Sequence, residues 1–352
     1  MREIFDSTIE RLFLDLVTPQ AVMSCEGGVW PEAMWDAIEE SGFTLALAPE
    51  SAGGAGAAWA DVCGIVRLAG RFSLPLPLPE AMLANWLLGV SGLQGCGGRL
   101  TIGAQGTLRF ENGTVSGEAI DVPWGSEVDF IVAVIAGDEP RVVLLSTYGV
   151  QKIHGANIAG EPRDTLVFNE VVPLATELLP LGLYDDVLRL GGAMLRSAQI
   201  AGALECGLAL TTTYAGERVQ FGKPIASFQA IQHQVSVLAE HTAASAIAAE
   251  AAFAESSNER LAEFFSMAAK ICSSEAAGIG AGIAHAVHGA IGFTHEHALH
   301  LTTRRLWAWR SEFGSLTEWS KKLGYAACSG GAKEFWPAIT SGQLHNLKGV
   351  PA

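Results

Sequence analysis

Hydrophobic positions follow two different periods along this chain, and the change of period divides it into three. Over residues 1–92 the spacing is helical. Ile4, Ile9, Leu12, Phe13 and Leu16 share one face, and Met34, Trp35 and Ile38 give Pro31–Glu40 an inward stripe that Gly42 stops. Ala58–Phe72 and Pro79–Leu88 predict two further helices. From residue 98 to 172 short apolar bursts replace that period: Leu100-Thr101-Ile102, Leu108-Arg109-Phe110, Phe130–Ile135, Val142–Leu145, Leu166-Val167-Phe168 and Val171-Val172-Pro173. Asn112-Gly113 between two such bursts predicts a hairpin, so this part reads as a small antiparallel β unit.

Helical spacing returns at Tyr184. Leu188, Leu195, Ile200, Leu204 and Leu208 form one stripe, and Val235, Leu238 and Ile247 mark the Ala-rich stretch Phe228–Phe253. Asn258–His288, His295–Trp309 and Leu316–Ala327 follow, and the tail Lys333–Ala352 is expected to be ordered only in part. The expected architecture is mixed and mainly α: an N-terminal helical domain over 1–92, a middle antiparallel β domain over 93–180, and a C-terminal four-helix bundle over 181–352.

At 352 residues and 49% apolar content, two or three such units are affordable. A net charge of −15 argues against a nucleic-acid partner, which would be met by a basic stripe. The six cysteines are scattered without a CxxC pair, which fits a reducing cytoplasm and gives no zinc spacing. The N-terminus has no apolar signal region, and no run reaches the roughly 18 apolar residues of a membrane span. Ala276–Phe293, mostly Gly and Ala, reads instead as close helix packing.

The richest local chemistry lies in Glu217-Arg218-Val219-Gln220-Phe221-Gly222-Lys223-Pro224-Ile225 and the following Phe228-Gln229-Ala230-Ile231-Gln232. Tyr214–Arg218 ends a helix, with Gly222 a natural C-terminal stop and Pro224 beyond it. An Arg there either neutralises the helix dipole or offers a planar fork of donors to a phosphate.

This wording resembles the opening of the C-terminal helical domain of acyl-CoA dehydrogenases. A second match, His288-Gly289-Ala290-Ile291-Gly292-Phe293-Thr294-His295-Glu296, is similar to that family's glycine turn, and Ala48–Gly56 resembles its Pro-Glu-x-x-Gly-Gly-x-Gly segment. The resemblance is clear over residues 186–325. It implies FAD as cofactor, an acyl-CoA substrate, and a dimer or tetramer, homo- or hetero-oligomeric, with a second subunit of the same family. On matched positions, Arg218 and Gln220 would reach the pyrophosphate region of a partner's FAD, and Phe221 would pack on the cofactor. Gln229, Ile231, Gly289 and Gly292 would complete that contribution, while Ala286 and Ala290 stand where the family has Gln and Gly.

The implied reaction is α,β-dehydrogenation of a thioester, as in fatty acid or steroid side-chain degradation, and it needs one carboxylate to take an α proton. The family places that glutamate at either of two positions. Here they hold Phe313 and Gly192, and Glu312 stands one residue early. One residue of register turns a side chain by about 100° on a helix, so Glu312 is a displaced candidate base only if the loop bends it inward. The flavin-lining Thr-Glu-Pro-x-x-Gly-Ser-Asp segment has no equivalent either. The resemblance therefore points to the glutamate-lacking subunit of the family's bacterial heterotetramers. A flavin-free homo-oligomeric scaffold and a complete dehydrogenase using Glu312 are the alternatives.

Other clusters carry less. His285, His288, His295, His297 and His300 lack the His-Glu-x-x-His spacing of a metal site, and no Gly-x-Ser-x-Gly supports a hydrolase. Trp307 and Trp309 with Arg304, Arg305 and Arg310 predict core rings under surface arginines, or a CoA phosphate contact.

Overall fold

The computed structural model describes residues 1–329 and 331–342. Five helices come first: α1 (Arg2–Leu16), α2 (Pro19–Glu26), α3 (Glu32–Glu40), α4 (Trp59–Arg71) and α5 (Leu78–Val90). The second of them carries no long apolar stripe. It starts on a Thr18 side chain that accepts from the Ala21 N–H, with Pro19 in its first turn. The glycine cluster at 53–56 is a tight turn, with Gly53 and Gly56 at positive φ.

Eight strands follow: β1 (Leu100–Gly103), β2 (Arg109–Glu111), β3 (Thr114–Pro123), β4 (Phe130–Ile135), β5 (Arg141–Ser146), β6 (Gln151–Ile153), β7 (Arg163–Val171) and β8 (Ala175–Leu178). They form two four-stranded sheets, ordered β1-β4-β5-β8 and β2-β3-β7-β6. The expected hairpin is β2–β3, with Asn112 and Gly113 both left-handed, the requirement of a two-residue turn of this hand. The expectation of a purely antiparallel unit is corrected at one pair, because β1 and β4 run parallel. Between them the chain crosses to the other sheet for β2 and β3, and so re-enters the first in its original direction.

Phe130–Ile135 reads as a continuous apolar run because both its faces are covered. Ile131, Ala133 and Ile135 meet Val115, Val122, Leu166 and Phe168 of the second sheet, while Val132 joins Leu100, Ile102 and the N-terminal helices.

The last part is a helical bundle: α6 (Val187–Glu217), α7 (Gln229–Glu255), α8 (Glu263–His288), α9 (Leu299–Trp309), α10 (Leu316–Ser329) and α11 (Ala332–Ser341). The helix α6 packs against α4, α7, α8 and α9 and is the axis of the molecule. Three boundaries differ from the periodicity. The helix α8 begins at Glu263 rather than Asn258 because Ser256 and Ser257 hold the intervening turn, accepting from the N–H groups of Ala262 and Arg260. The helix α9 begins at Leu299, after a turn in which His297 accepts from the Leu299 N–H. The helix α6 ends at Glu217, short of Gly222, which instead turns a two-residue hairpin between β9 (Val219–Gln220) and β10 (Lys223–Pro224). In the tail, α11 is helical, and the expectation for residues 343–352 lies outside the described residues.

Among the described residues, α8 with its following turn is long and apolar enough to cross a membrane by composition. Its inward face is packed in the bundle against α6, α7 and α9.

The crossing of α4 and α6 depends on backbone contact. A Cβ at Gly202 would lie 1.8 Å from the Arg67 carbonyl oxygen, and one at Gly70 would lie 1.9 Å from that of Gln199. Alanine improves helix propensity by about 1 kcal/mol over glycine, whereas overpacking costs about 1–3 kcal/mol or more. The steric effect wins at 1.8 Å. Gly202→Ala is expected to lower unfolding stability in urea, and a rise would contradict the crossing.

Candidate functional site

The stretch Arg218–Ile231 folds as a cap on one end of the bundle. Arg218 closes α6, its N–H donating to Tyr214 O at 2.8 Å and its carbonyl accepting from the Ile225 N–H at 2.8 Å. Arg218, Gln220 and Gln229 are exposed and Ile231 is half-buried. Among the described residues, the Arg218 guanidinium makes no ion pair. Phe221 is 92% exposed at φ +55°, sparse territory for a residue with a Cβ, with Phe228 beside it edge-on at 6.1 Å. An exposed, left-handed aromatic and an unpaired guanidinium make a surface prepared for contact, not a closed helix end.

The glycine turn sits at the same end. His288 closes α8 and its ring stacks on Tyr214 at 4.6 Å, so the helix that carries Arg218 touches the turn of Gly289 and Gly292. Gly289 is left-handed at φ +65°. A Cβ at Gly292 would come within 3.0–3.2 Å of His288, Leu299 and His285, so a side chain there has no room. The two motifs, distant in sequence, therefore form one face. The five histidines belong to this end, and no group of three metal-binding side chains exists among the described residues.

The second candidate region is the loop between α9 and α10. Phe313 is buried at φ +55°. Its carbonyl accepts from Trp319 Nε1 at 3.0 Å, and Trp319 lies so close to Gly314 that a Cβ there would be 2.4 Å away. This pins the ring against α6. A Cβ at Gly192 would lie 2.5 Å from the Phe313 ring, so the two positions weighed for a base touch each other and leave no space for a carboxylate.

Glu312 points the other way, into a cage. Arg163 holds it with two bonds, Nε to Oε1 at 2.9 Å and Nη2 to Oε2 at 3.0 Å. Arg196 Nε donates to Oε2 at 2.7 Å, and Asn157 Nδ2 to Oε1 at 2.8 Å. Burial raises its pKa, but the two guanidiniums and the amide outweigh that and hold it well below the ordinary carboxylate range. A carboxylate so held is a weak proton acceptor. With Phe313 and Arg189, this cage lines a cleft of about 560 Å³ between the β sheets and the bundle.

The cage belongs to a chain of buried charges absent from the sequence reading. Arg196 is fully buried on α6 and also binds Glu80 of α5 at 2.7 Å, while Arg163 binds Glu161 at 2.9 Å. Glu161 accepts from Trp309 Nε1 at 2.9 Å and lies 3.2 Å from Arg305, which with Arg304 holds Glu26. The expectation of Arg305 as a surface residue is thereby corrected, since Glu161 and Glu26 draw it wholly inside. The available signal was phase, because Arg196 sits on the inward stripe of α6 beside Leu195. Lys270 of α8 is also fully buried. Its Nζ donates to the Trp309 carbonyl at 2.5 Å, and burial pulls its pKa down to about 7.

Residues 191–315 match the family model "Acyl-CoA dehydrogenase, C-terminal domain". The acyl-CoA dehydrogenase IpdE2 of Mycobacterium tuberculosis is 30% identical over 86% of this chain and 90% of its own length. Among solved structures, the ChsE4-ChsE5 complex from Mycobacterium tuberculosis superposes with a TM-score of 0.79 at 21% identity, covering 92% of this chain and 96% of that one. Butyryl-CoA dehydrogenase from Megasphaera elsdenii gives 0.79 at 19%, covering 91% and 97%. At these identities the two structures establish the fold.

Two outcomes test this geometry. Arg196→Met leaves Glu80 without a cation and Glu312 with Arg163 alone, and is expected to cost about 3–5 kcal/mol in urea unfolding. Lys270 binds its proton near pH 10.5 when unfolded and near 7 when folded, so between those values the unfolded state holds more protons and stability rises with pH. Measured at pH 7, 8 and 9, the stability advantage of Lys270→Met over wild type should shrink by up to about 1.4 kcal/mol per pH unit. A constant difference would mean that Lys270 titrates normally.

Proposed function

This chain belongs to the acyl-CoA dehydrogenase family of FAD-dependent oxidoreductases, and from that premise we propose that it is an auxiliary subunit, lending contacts to FAD held mainly by a partner subunit. The observation that carries this reading is the contact of Phe313 with Gly192, which fills both places where a base would stand.

The fit to FAD differs between the two regions. In the chain's own cleft, the polar groups of Asn157, Arg163 and Glu312 are bound to one another, and the Phe313 ring lines the wall at the family's base position, so these residues do not fit a flavin site with its own base. The bundle end does fit the other half of the cofactor. Arg218 is an unpaired fork for a pyrophosphate, Gln220 and Gln229 are exposed amides, Phe221 offers a ring, and the turn of Gly289 and Gly292 lets a ligand approach the backbone.

When bound, FAD accepts the hydride from the β carbon of the thioester. The work assigned to this chain is narrower. Arg218 neutralises charge at the diphosphate, Phe221 excludes water from one side of it, and the proton acceptor comes from the partner. Glu312 serves as an internal counter-ion and not as a displaced base.

Purified alone, the protein is expected to be colourless, and with the product of a neighbouring gene it should carry FAD. In that complex Arg218→Ala removes a charge-assisted bond of about 1.5–3 kcal/mol, a weakening of FAD affinity by about 10- to 150-fold. The unfolding midpoint of the chain alone should not move, since Arg218 is exposed. Yellow homogeneous protein that oxidises an acyl-CoA by itself would overturn the proposal, and colourless protein under every condition would favour a flavin-free scaffold.

A further inference from the structure

The exposed end is made of two pieces, and one aromatic contact joins them. Tyr214 lies one turn before Arg218 on α6, and His288 is the last residue of α8 before the Gly289 turn. Their rings lie 4.6 Å apart and 20° from parallel. We propose that this stack is a proton-sensitive fastener: with a neutral His288 it holds the glycine turn against the helix that carries Arg218, and protonation of the ring loosens that end of the bundle. The consequence for FAD rests on the preceding reading of Arg218 and the turn. The fastener itself does not.

The geometry leaves little place for a second proton on His288. The side chain is 3% exposed and its Nδ1 donates to the Ala284 carbonyl at 2.7 Å, which leaves Nε2 as the proton-free nitrogen. That nitrogen is buried with no hydrogen-bond partner among the described residues. Protonation would put a donor there with nothing to accept from it. The groups facing the ring are Tyr214 from α6, His297 from the turn before α9, with its ring at 4.8 Å, and His285 one turn back on α8. Among the described residues no carboxylate acts on it. Burial is the main influence lowering its pKa, the two neighbouring imidazoles lower it further, and the Ala284 carbonyl opposes them.

Two forces run the other way: a helix C-terminus favours a cation, and an imidazolium is drawn to the face of the stacked Tyr214 ring. The first acts through last-turn carbonyls such as that of Ala284, and the buried, partnerless Nε2 stands against both. His285 repeats the arrangement beside the same turn. Its Nε2 bonds Thr303 Oγ1 at 2.8 Å, its Nδ1 is buried without a partner, and its ring stacks on Phe293 at 4.2 Å. A cation on either ring would face another imidazole instead of an anion, so acid acts on both in the same sense.

The test is hydrogen exchange on the full chain alone, from pH 8 to pH 5, read as protection of segment 284–300 with the β-sheet segments as reference. Wild type should lose protection by about tenfold or more between pH 7 and 5 in that segment only, and His288→Phe, which keeps a ring but binds no proton, should lose clearly less, keeping only the share that His285 contributes. Protection unchanged to pH 5, or lost equally in His288→Phe, overturns the fastener. If that variant does not fold, an NMR titration of His288 in wild type decides, and a midpoint at or above the free imidazole value of about 6.5 overturns it. A parallel scan on the complex with its partner reads FAD retention. Opening of the segment without FAD loss would leave the fastener standing and sink the cofactor role assigned to this end.

Discussion

Eight buried or half-buried charges alternate in an unbroken row through the middle of the molecule: Arg304, Glu26, Arg305, Glu161, Arg163, Glu312, Arg196 and Glu80. They come from α9, α2, the approach to β7, the loop after α9, α6 and α5, so the row stitches the N-terminal helices, the sheets and the bundle together. Alternation is what makes it tolerable. Each internal member has an opposite charge on both sides, which offsets the several kcal/mol that each ion loses on leaving water. The same logic makes it intolerant, because removing one member takes a counter-charge from each of its neighbours and can leave an end member such as Glu80 with none. Such a row adds little stability over an apolar core, but it dictates which element lies against which.

That row also decides the chemistry of the central cleft. Glu312 is ionised, caged and committed to two arginines. The ring of Phe313 is pushed to the opposite side of the backbone, onto Gly192, with the Arg196 guanidinium 5.2 Å from its centre. Even a carboxylate placed at 313 would meet that cation. The opposite end of α6 has the reverse character. Its arginine is unpaired, its aromatic is exposed, and its backbone is left-handed without a glycine at Phe221. One helix thus joins a cleft closed by its own side chains to a surface with unused binding capacity.

The sequence by itself determined most of the elements and singled out the two motifs. Helical and alternating periods located most helices and strands because burial on one face imposes them, and Asn112-Gly113 named its hairpin through backbone sterics alone. Arg218, Phe221, Gly289 and Gly292 were singled out through the family resemblance, whose wording is local to two short segments. The weaker elements α2, β6 and β8 were missed, being too short to show a period. What only the tertiary structure decided was where charges went. Glu26, Glu80, the neighbouring pair Glu161 and Arg163, and Arg196 lie far apart in the chain, and an ion pair leaves no periodic mark on either partner. The contact of Phe313 with Gly192, the parallel pairing of β1 with β4, and the stack that joins Tyr214 to His288 were hidden for the same reason: each is a meeting of residues distant in the chain that only the folded packing brings within reach.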